Sequence, residues 1–404
     1  MSVTEHAFGN GRWDLALRRE TPRDIAMAIR RTNTLWIAHT TFDDGDVENR
    51  PDRVARYGGV ITDIDRYSDG RVELSGENLA WWVGSSDGKQ GPRTLLSGTL
   101  TGTPGIAMAF ATIWGFPISP VYVQIGTIQP LGVSIPIALE CGANKTRREL
   151  FQDVALWFDR YFRINPDMTI DVGDSEYLWG SNYPILTYRG GLDPGKYQRI
   201  LDVGSHETTK DMGNQSWVFG AQFGISANGI TLAVPATGFW QGGLGGALAP
   251  DGQDGRIVVG EVMRGVTNPL VAFALAEQHM DRLERRQIDA TVNIADYYTQ
   301  GELRAGCTAL IYDPTVGLVS TASGEQWDRE ELLPVKVLVE EMTWPISPNM
   351  SVWVQRGRNT PMQITRWIEP QSGATTAKLS EPHRPLWKLQ RQISEIDQSR
   401  GSPT

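Results

Sequence analysis

The chain has 404 residues, with 21% charged and 9% aromatic side chains and 14 tryptophans, a composition that buries large cores and excludes a disordered protein. Its net charge of −9 argues against a general nucleic-acid-binding surface. Cys141 and Cys307 are too few for a disulfide framework and read as small buried hydrophobes, and Met1 to His6 shows no basic-then-apolar leader, so folding in a cytoplasm is expected.

With 43 glycines and 23 prolines between short apolar runs, many strands separated by turns are expected. Trp13 to Leu17 alternates, Thr21 to Ile25 begins a helical turn or a loop, and Thr34 to Ala38 is a short buried strand. Tyr57 to Ile64 is a further strand, and Asp69-Gly70 is a hairpin turn into Arg71 to Gly76. Glu77 to Trp82 then makes a short, apolar, helical step.

Thr94 to Leu139 is a run of 46 residues without Asp, Glu, Lys or Arg. Its prolines break any long helix, and its most apolar part, Ile106 to Trp114, is too short to span a bilayer. Such a segment is expected to be buried against a partner subunit or its own domain, the alternative being a tip loop that touches host envelope lipid or glycan. Thr146-Arg147-Arg148-Glu149 is a capping box for a helix that buries Leu150, Val154, Trp157, Phe158 and Tyr161. A hairpin follows, Tyr161 to Ile164 and Thr169 to Val172, turning at Asn165-Pro166-Asp167.

Strands are then expected at Arg199 to Val203, Ser216 to Gly220, Gly229 to Val234 and Arg256 to Met263, with a glycine-rich loop from Gly238 to Gly255. Asn268-Pro269 starts a helix whose stripe of Phe273, Ala276, Met280 and Leu283 faces inward. Val292 and Ile294 lie on a half-buried strand. Ala305-Gly306-Cys307 is a turn, and further strands are Ala309 to Tyr312, Leu333 to Val339, Met342 to Ile346 and Met350 to Val354. In the tail, Pro385 to Ile396 reads as an amphipathic helix that docks on something.

Three local patterns resemble one family. They are Gly59-Val60-Ile61 with Asp69-Gly70-Arg71-Val72-Glu73-Leu74-Ser75-Gly76, then Thr146-Arg147-Arg148-Glu149-Leu150 with Phe162-Arg163-Ile164-Asn165-Pro166-Asp167-Met168-Thr169-Ile170-Asp171-Val172-Gly173, and finally Ile311-Tyr312-Asp313-Pro314, Thr343-Trp344-Pro345-Ile346 and Met350-Ser351-Val352-Trp353-Val354. The order is similar to that of the tail hub proteins, the minor tail proteins at the tip of long-tailed bacteriophages of actinobacterial hosts. Where that family usually has Pro-Gly-Asp at the turn, this chain keeps only the glycine of Ala305-Gly306-Cys307.

The resemblance implies a mainly β fold with a few helices: two small antiparallel β-barrel or sandwich domains plus an α+β middle domain. It places a β-barrel hub domain at 1–93, an uncharged insertion at 94–145, the middle domain at 146–265, a helix and C-terminal barrel at 266–369 and an extended tail at 370–404. It also implies a homotrimer at the virion's tail tip whose paired barrels mimic the sixfold tail tube. The implied partners are distal tail and tape measure proteins, downstream tip or fibre proteins, and DNA passing through the ring.

No chemistry competes with that reading. The five histidines are scattered, and no nucleophile elbow or phosphate-binding loop occurs, so no catalytic, cofactor-binding or metal-binding residue is assigned and no cofactor is expected. Asp43 to Asn49 lacks the spacing and closing Glu of a calcium loop and reads as a solvated acidic turn. Glu340 and Glu341 are adjacent on a strand, point to opposite faces, and are best explained by a bulge. The tryptophans leave one alternative, a cell-wall-active or glycan-binding module, although most of them are expected in the core.

Overall fold

The computed structural model describes residues 1–7, 11–39, 55–83, 98–102, 124–130, 137–141, 160–181, 183–188, 197–208, 215–227, 230–241, 258–262, 266, 268–283, 287–294, 303–318, 320–321, 332–346, 350–355, 362–364, 367–368 and 374–380. The chain is mainly β with few helices. It opens with β1 (Ser2–His6), β2 (Gly11–Leu17), β3 (Thr34–His39), β4 (Tyr57–Arg66) and β5 (Val72–Asn78). Arg23–Ala28 is a short helix, and Leu79–Val83 is a 3₁₀ turn where the helical step was expected. β6 (Gly98–Gly102), β7 (Gln124–Ile128) and β8 (Ile137–Cys141) follow, then the hairpin of β9 (Tyr161–Ile164) and β10 (Thr169–Gly173) and a helix at Ser175–Trp179.

The remainder runs through β11 (Ile185–Tyr188), β12 (Tyr197–Thr208), β13 (Gln215–Ala227), β14 (Ile230–Gln241) and β15 (Val258–Val262) to the helix Pro269–Leu283. It ends with β16 (Gln287–Ile294), β17 (Thr308–Tyr312), β18 (Ser320–Thr321), β19 (Leu332–Leu333), β20 (Val335–Pro345), β21 (Met350–Gln355), β22 (Met362–Ile364) and β23 (Thr375–Ser380). The acidic turn Asp43 to Asn49, the capped helix up to residue 159, most of the uncharged run and the helix expected at Pro385 to Ile396 lie outside the described residues.

Two rings can be traced in the main sheet. In the second of them along the chain, β17-β11-β12-β16-β23-β20 closes because β20 pairs again with β17, Thr308 opposite Leu338. In the other, β2-β5-β4-β3-β21-β22 returns to β2 through the Leu17–Trp367 bridge, and Ile368 N donates to Ala16 O at 2.8 Å. The β17–β20 ladder leaves that ring without a free edge, whereas the other is closed by a single bridge. β1 joins them, pairing with β2 of one ring and β20 of the other. Chain ends far apart in sequence therefore share ladders, as in Trp36 opposite Trp353.

Most pairings are antiparallel, as the short strands suggest, but β7–β10, β11–β12, β11–β17 and β13–β15 are parallel. Local patterning carries no signal for strand direction.

The segments expected as two strands, Leu333 to Val339 and Met342 to Ile346, instead fall mostly on the continuous β20, with Leu333 on β19 and a bulge at Glu340. The bulge changes the parity of the strand. Val337 and Val339 face the core before it, and Met342 and Trp344 face it afterwards. One strand thus lines the core of its own ring and then the junction between the rings. Val3, Tyr57, Met342 and Trp344 make the two ring cores a single apolar cluster.

Between β12 and β16 is inserted a three-stranded sheet, β14-β13-β15, covered by the helix Pro269–Leu283. Asn268 caps that helix, its Oδ1 accepting from Leu270 N at 2.9 Å. The buried stripe differs from expectation. Ala272, Leu275, Ala276, His279 and Met280 are buried, whereas Phe273 is 44% exposed and sets its ring against Trp240. The helix backbone at Ala272 and Phe273 N lies directly against Gly238, where a side chain has no room, and it is the Ala272 face that meets the sheet.

Candidate functional site

The hairpin β9–β10 is a wedge. Ile164 and Met168 pack on Val60, Leu79 and Trp81 of the first ring, while Tyr161 and Leu178 pack on Ala7 and Leu338 beside the second. Tyr161 starts β9 and is buried, as expected of the hairpin. The turn at Asn165-Pro166-Asp167 holds because Asp167 Oδ1 accepts from Thr169 N at 3.0 Å, with Met168 left-handed at φ 68°. Trp36 Nε1 donates to Pro166 O at 3.1 Å, which ties the turn to the first ring.

Behind the turn, Asp171 is buried among donors. It accepts from Thr127 N at 2.7 Å, Thr127 Oγ1 at 2.9 Å, Asn165 Nδ2 at 2.7 Å and Arg163 Nη2 at 2.9 Å. Burial pushes its acidity toward the neutral form, but the hydrogen bonds outweigh that and hold the carboxyl below the usual range. A folded-state pKa below the unfolded one gives stability that is complete above about pH 4 and is lost as the pH falls through the folded value. Asp171→Asn is therefore expected to lower the urea midpoint at pH 7 and to make far less difference at pH 2. Equal losses at both values would contradict this.

The other anchor of the wedge is a hydroxyl chain. Thr308 Oγ1 donates to Ser175 Oγ at 2.8 Å, and Ser175 Oγ donates to Gly306 O at 2.8 Å, joining the helix Ser175–Trp179 to the second ring. Gly306 has φ 89°, so the glycine of that turn is required by backbone conformation. Cys307 beside it is buried, and burial pushes its thiol up to about 12. The native protein is expected to leave Cys307 unalkylated at pH 8 and to expose it in denaturant, as read from the mass of its peptide.

Where wedge and rings meet lies a polar crevice. It is lined by Glu5 and His6 from β1, Arg56 and Tyr57 at the start of β4, Arg163 and Asn165 from the wedge, and Arg304. Arg56 Nη2 donates to Leu303 O at 3.0 Å, and Arg304 Nη1 donates to Arg56 O at 3.0 Å. The Arg56 guanidinium sits 5.2 Å from the Trp344 ring centroid, and Trp344 Nε1 donates to Glu5 Oε1 at 2.7 Å. His6 Nδ1 is 3.4 Å from Glu341, which also pairs with Lys378 at 2.9 Å. Burial lowers the His6 pKa, Glu341 opposing and Lys378 reinforcing it.

Of these residues, only Glu341, as one of two adjacent carboxylates, and Trp344, in the Thr343-Trp344-Pro345-Ile346 pattern, had a reading of their own in the sequence, and Arg163, Asn165 and Asp171 appeared only as members of a hairpin. Their positions are up to 299 residues apart in Glu5 and Arg304, so no local pattern could bring them together. The expected bulge at Glu340 and Glu341 is present, but it overturns the expectation that the two point to opposite faces: Val339 and Met342 on either side both face the core, both carboxylates lie outward and act on His6, and Glu341 also pairs with Lys378. Trp344, Trp353, Trp367 and Trp81 are buried, as expected of most of the tryptophans. Among the described residues, no three His, Cys, Asp or Glu side chains are grouped so as to hold a metal ion.

No family model and no curated protein sequence matches the chain. Solved structures do. The 43 kDa tail protein of prophage MuSo2 from Shewanella oneidensis superposes with a TM-score of 0.52 at 8% identity, covering 94% of this chain and 93% of that one. A tail protein from Neisseria meningitidis gives 0.49 at 12% identity, covering 93% and 98%. A prophage tail protein from Listeria monocytogenes gives 0.46 at 10% identity, covering 98% and 99%.

Proposed function

We propose that this chain is a structural subunit of a bacteriophage tail, carried in the virion and acting as a hub at the tail tip rather than as an enzyme. The observation that supports this best is the likeness of fold over nearly the full length of both chains to the MuSo2 tail protein. The finer reading follows from the resemblance in sequence and from the paired rings. Three copies would set six small barrels in a circle, matching the sixfold end of a tail tube. Such a ring would bind distal tail and tape measure proteins above and tip or fibre proteins below.

The domain boundaries at 93, 145, 265 and 369 belong to the same proposal as limits in sequence only, since both rings take strands from either side of them and β23 lies beyond 369, with 94–145 contacting its own middle segment, a neighbouring subunit or the host envelope. A trimer carries three times the net charge of −9, and an acidic passage would repel DNA phosphate and let it slide. Antibodies raised against the purified chain should label virions at the end of the tail distal to the head in electron micrographs. Label on the head or along the tube would contradict the placement, and release of fragments from host cell walls by the purified chain would favour an enzyme.

A further inference from the structure

The inserted sheet and its helix each carry a second apolar face. Val218 of β13 packs on Ala272, Leu275 and Ala276, so the helix covers the side of the sheet that also bears Gly238. Strand alternation sends Trp217 and Phe219 to the opposite side, where Phe219 is 36% exposed. The Trp217 ring lies 4.6 Å from that of Phe239, its partner on β14, and 6.0 Å from the nearly parallel ring of Phe219. Gly260 stands opposite Trp217 on β15, and a carbon added to it would meet only Phe219, at 3.6 Å, so this aromatic surface is open at its side. The helix repeats the pattern. Away from its buried stripe, Leu270 is 64% and Phe273 44% exposed, and Ala274 is exposed between the turns. A helix at a surface ordinarily turns a polar face to water.

We propose that these two surfaces meet between copies of this chain, the aromatic face of one inserted sheet receiving the Leu270 and Phe273 side of the next copy's helix. An apolar sheet face is what a helix covers in a layered domain, and each copy offers one surface of each kind. A second copy therefore satisfies both surfaces with no other protein. The contact joins unlike surfaces head to tail, so its repetition builds a ring where the rotation closes and a filament where it does not. Neither surface, Trp217, Phe219 and Phe239 on one side or Leu270, Phe273 and Ala274 on the other, includes a Lys or Arg. That argues against nucleic acid or an anionic lipid surface as the occupant. The inference rests on the ring of identical copies proposed above and names the surfaces that build it.

Introduced cysteines test the pairing directly. Full chains carrying Phe219→Cys and Leu270→Cys are treated with a short bis-maleimide, separately and mixed, with the original chain as the blank. The mixture should give a cross-linked pair that neither variant gives alone. In mass photometry, Phe219→Thr and Leu270→Gln should each raise the concentration at which the assembly falls apart by at least about tenfold, the effect of removing an interface anchor. Met27→Gln, which removes an exposed apolar side chain from the short helix Arg23–Ala28, should not. An assembly as tight in both variants as in the original chain places the interface elsewhere, which overturns the inference and leaves the ring standing. Cross-linking of either variant with itself means that like faces meet, and overturns it too. Earlier thermal unfolding of the variants with unchanged association means that another part of the same chain covers the surface, again against the inference. A single chain at every concentration in the original protein overturns the inference and the ring together.

Discussion

Trp344→Ala is expected to destabilise the folded chain by about 3–5 kcal/mol, the range for deleting a large buried aromatic side chain. Trp344 is fully buried where the two rings meet. Its ring stands edge-on to Tyr57 at 6.3 Å and lies 5.2 Å from the Arg56 guanidinium, and its indole N–H is used by Glu5 at 2.7 Å. Alanine opens a cavity, removes the partner of a buried cation and leaves Glu5 without its donor. The loss should fall on both rings at once, because β20 contributes to one directly and to the other through β1. Hydrogen exchange should therefore show β2 and β23 losing protection together. A variant with one ring softened and the other unchanged would refute the shared core.

Gly238→Ala is expected to cost about 1–3 kcal/mol or more, the range for forcing a methyl group into a packed interior. A Cβ there would lie 2.0 Å from Ala272 O and 2.3 Å from Phe273 N, both backbone atoms that cannot rotate away. The helix Pro269–Leu283 must therefore lift from the sheet. Exchange in that helix and in β13 should quicken while β2 to β5 remain protected, because the inserted sheet and its helix have their own apolar cluster of Val218, Val266, Ala272, Leu275 and Ala276. Gly204→Ala, with open space around the added carbon, is the control and should change stability by no more than about 0.5 kcal/mol. Equal effects from the two glycines would sink the close-approach argument.

Much of the fold was legible because its strands are punctuated by residues with one physical meaning. Asp69-Gly70 turns β4 into β5 with Gly70 at φ 88°, Asn268-Pro269 starts the longest described helix, and Asn165-Pro166-Asp167 turns β9 into β10. Three things were not legible. The buried helix face lies against Gly238, thirty-four residues before Ala272, and helical periodicity knows nothing of it. The direction of β11 and β15 is set by which neighbours they meet, a tertiary fact. The crevice gathers single polar residues from segments that run over the whole chain, and each of them alone reads as an ordinary surface or turn residue. The bulge in β20 lies between these cases. Two adjacent glutamates on a strand suggested it, but the change of parity and the continuity of the strand that carries one chain from ring to junction are seen only in the structure.

Under the proposed function, the chain acts as a ring of identical copies. Mass photometry of the full-length protein, without other tail components, tests it most directly. The expected result is one dominant species of three chain masses that persists on dilution, and a species of one chain mass at every concentration would contradict it.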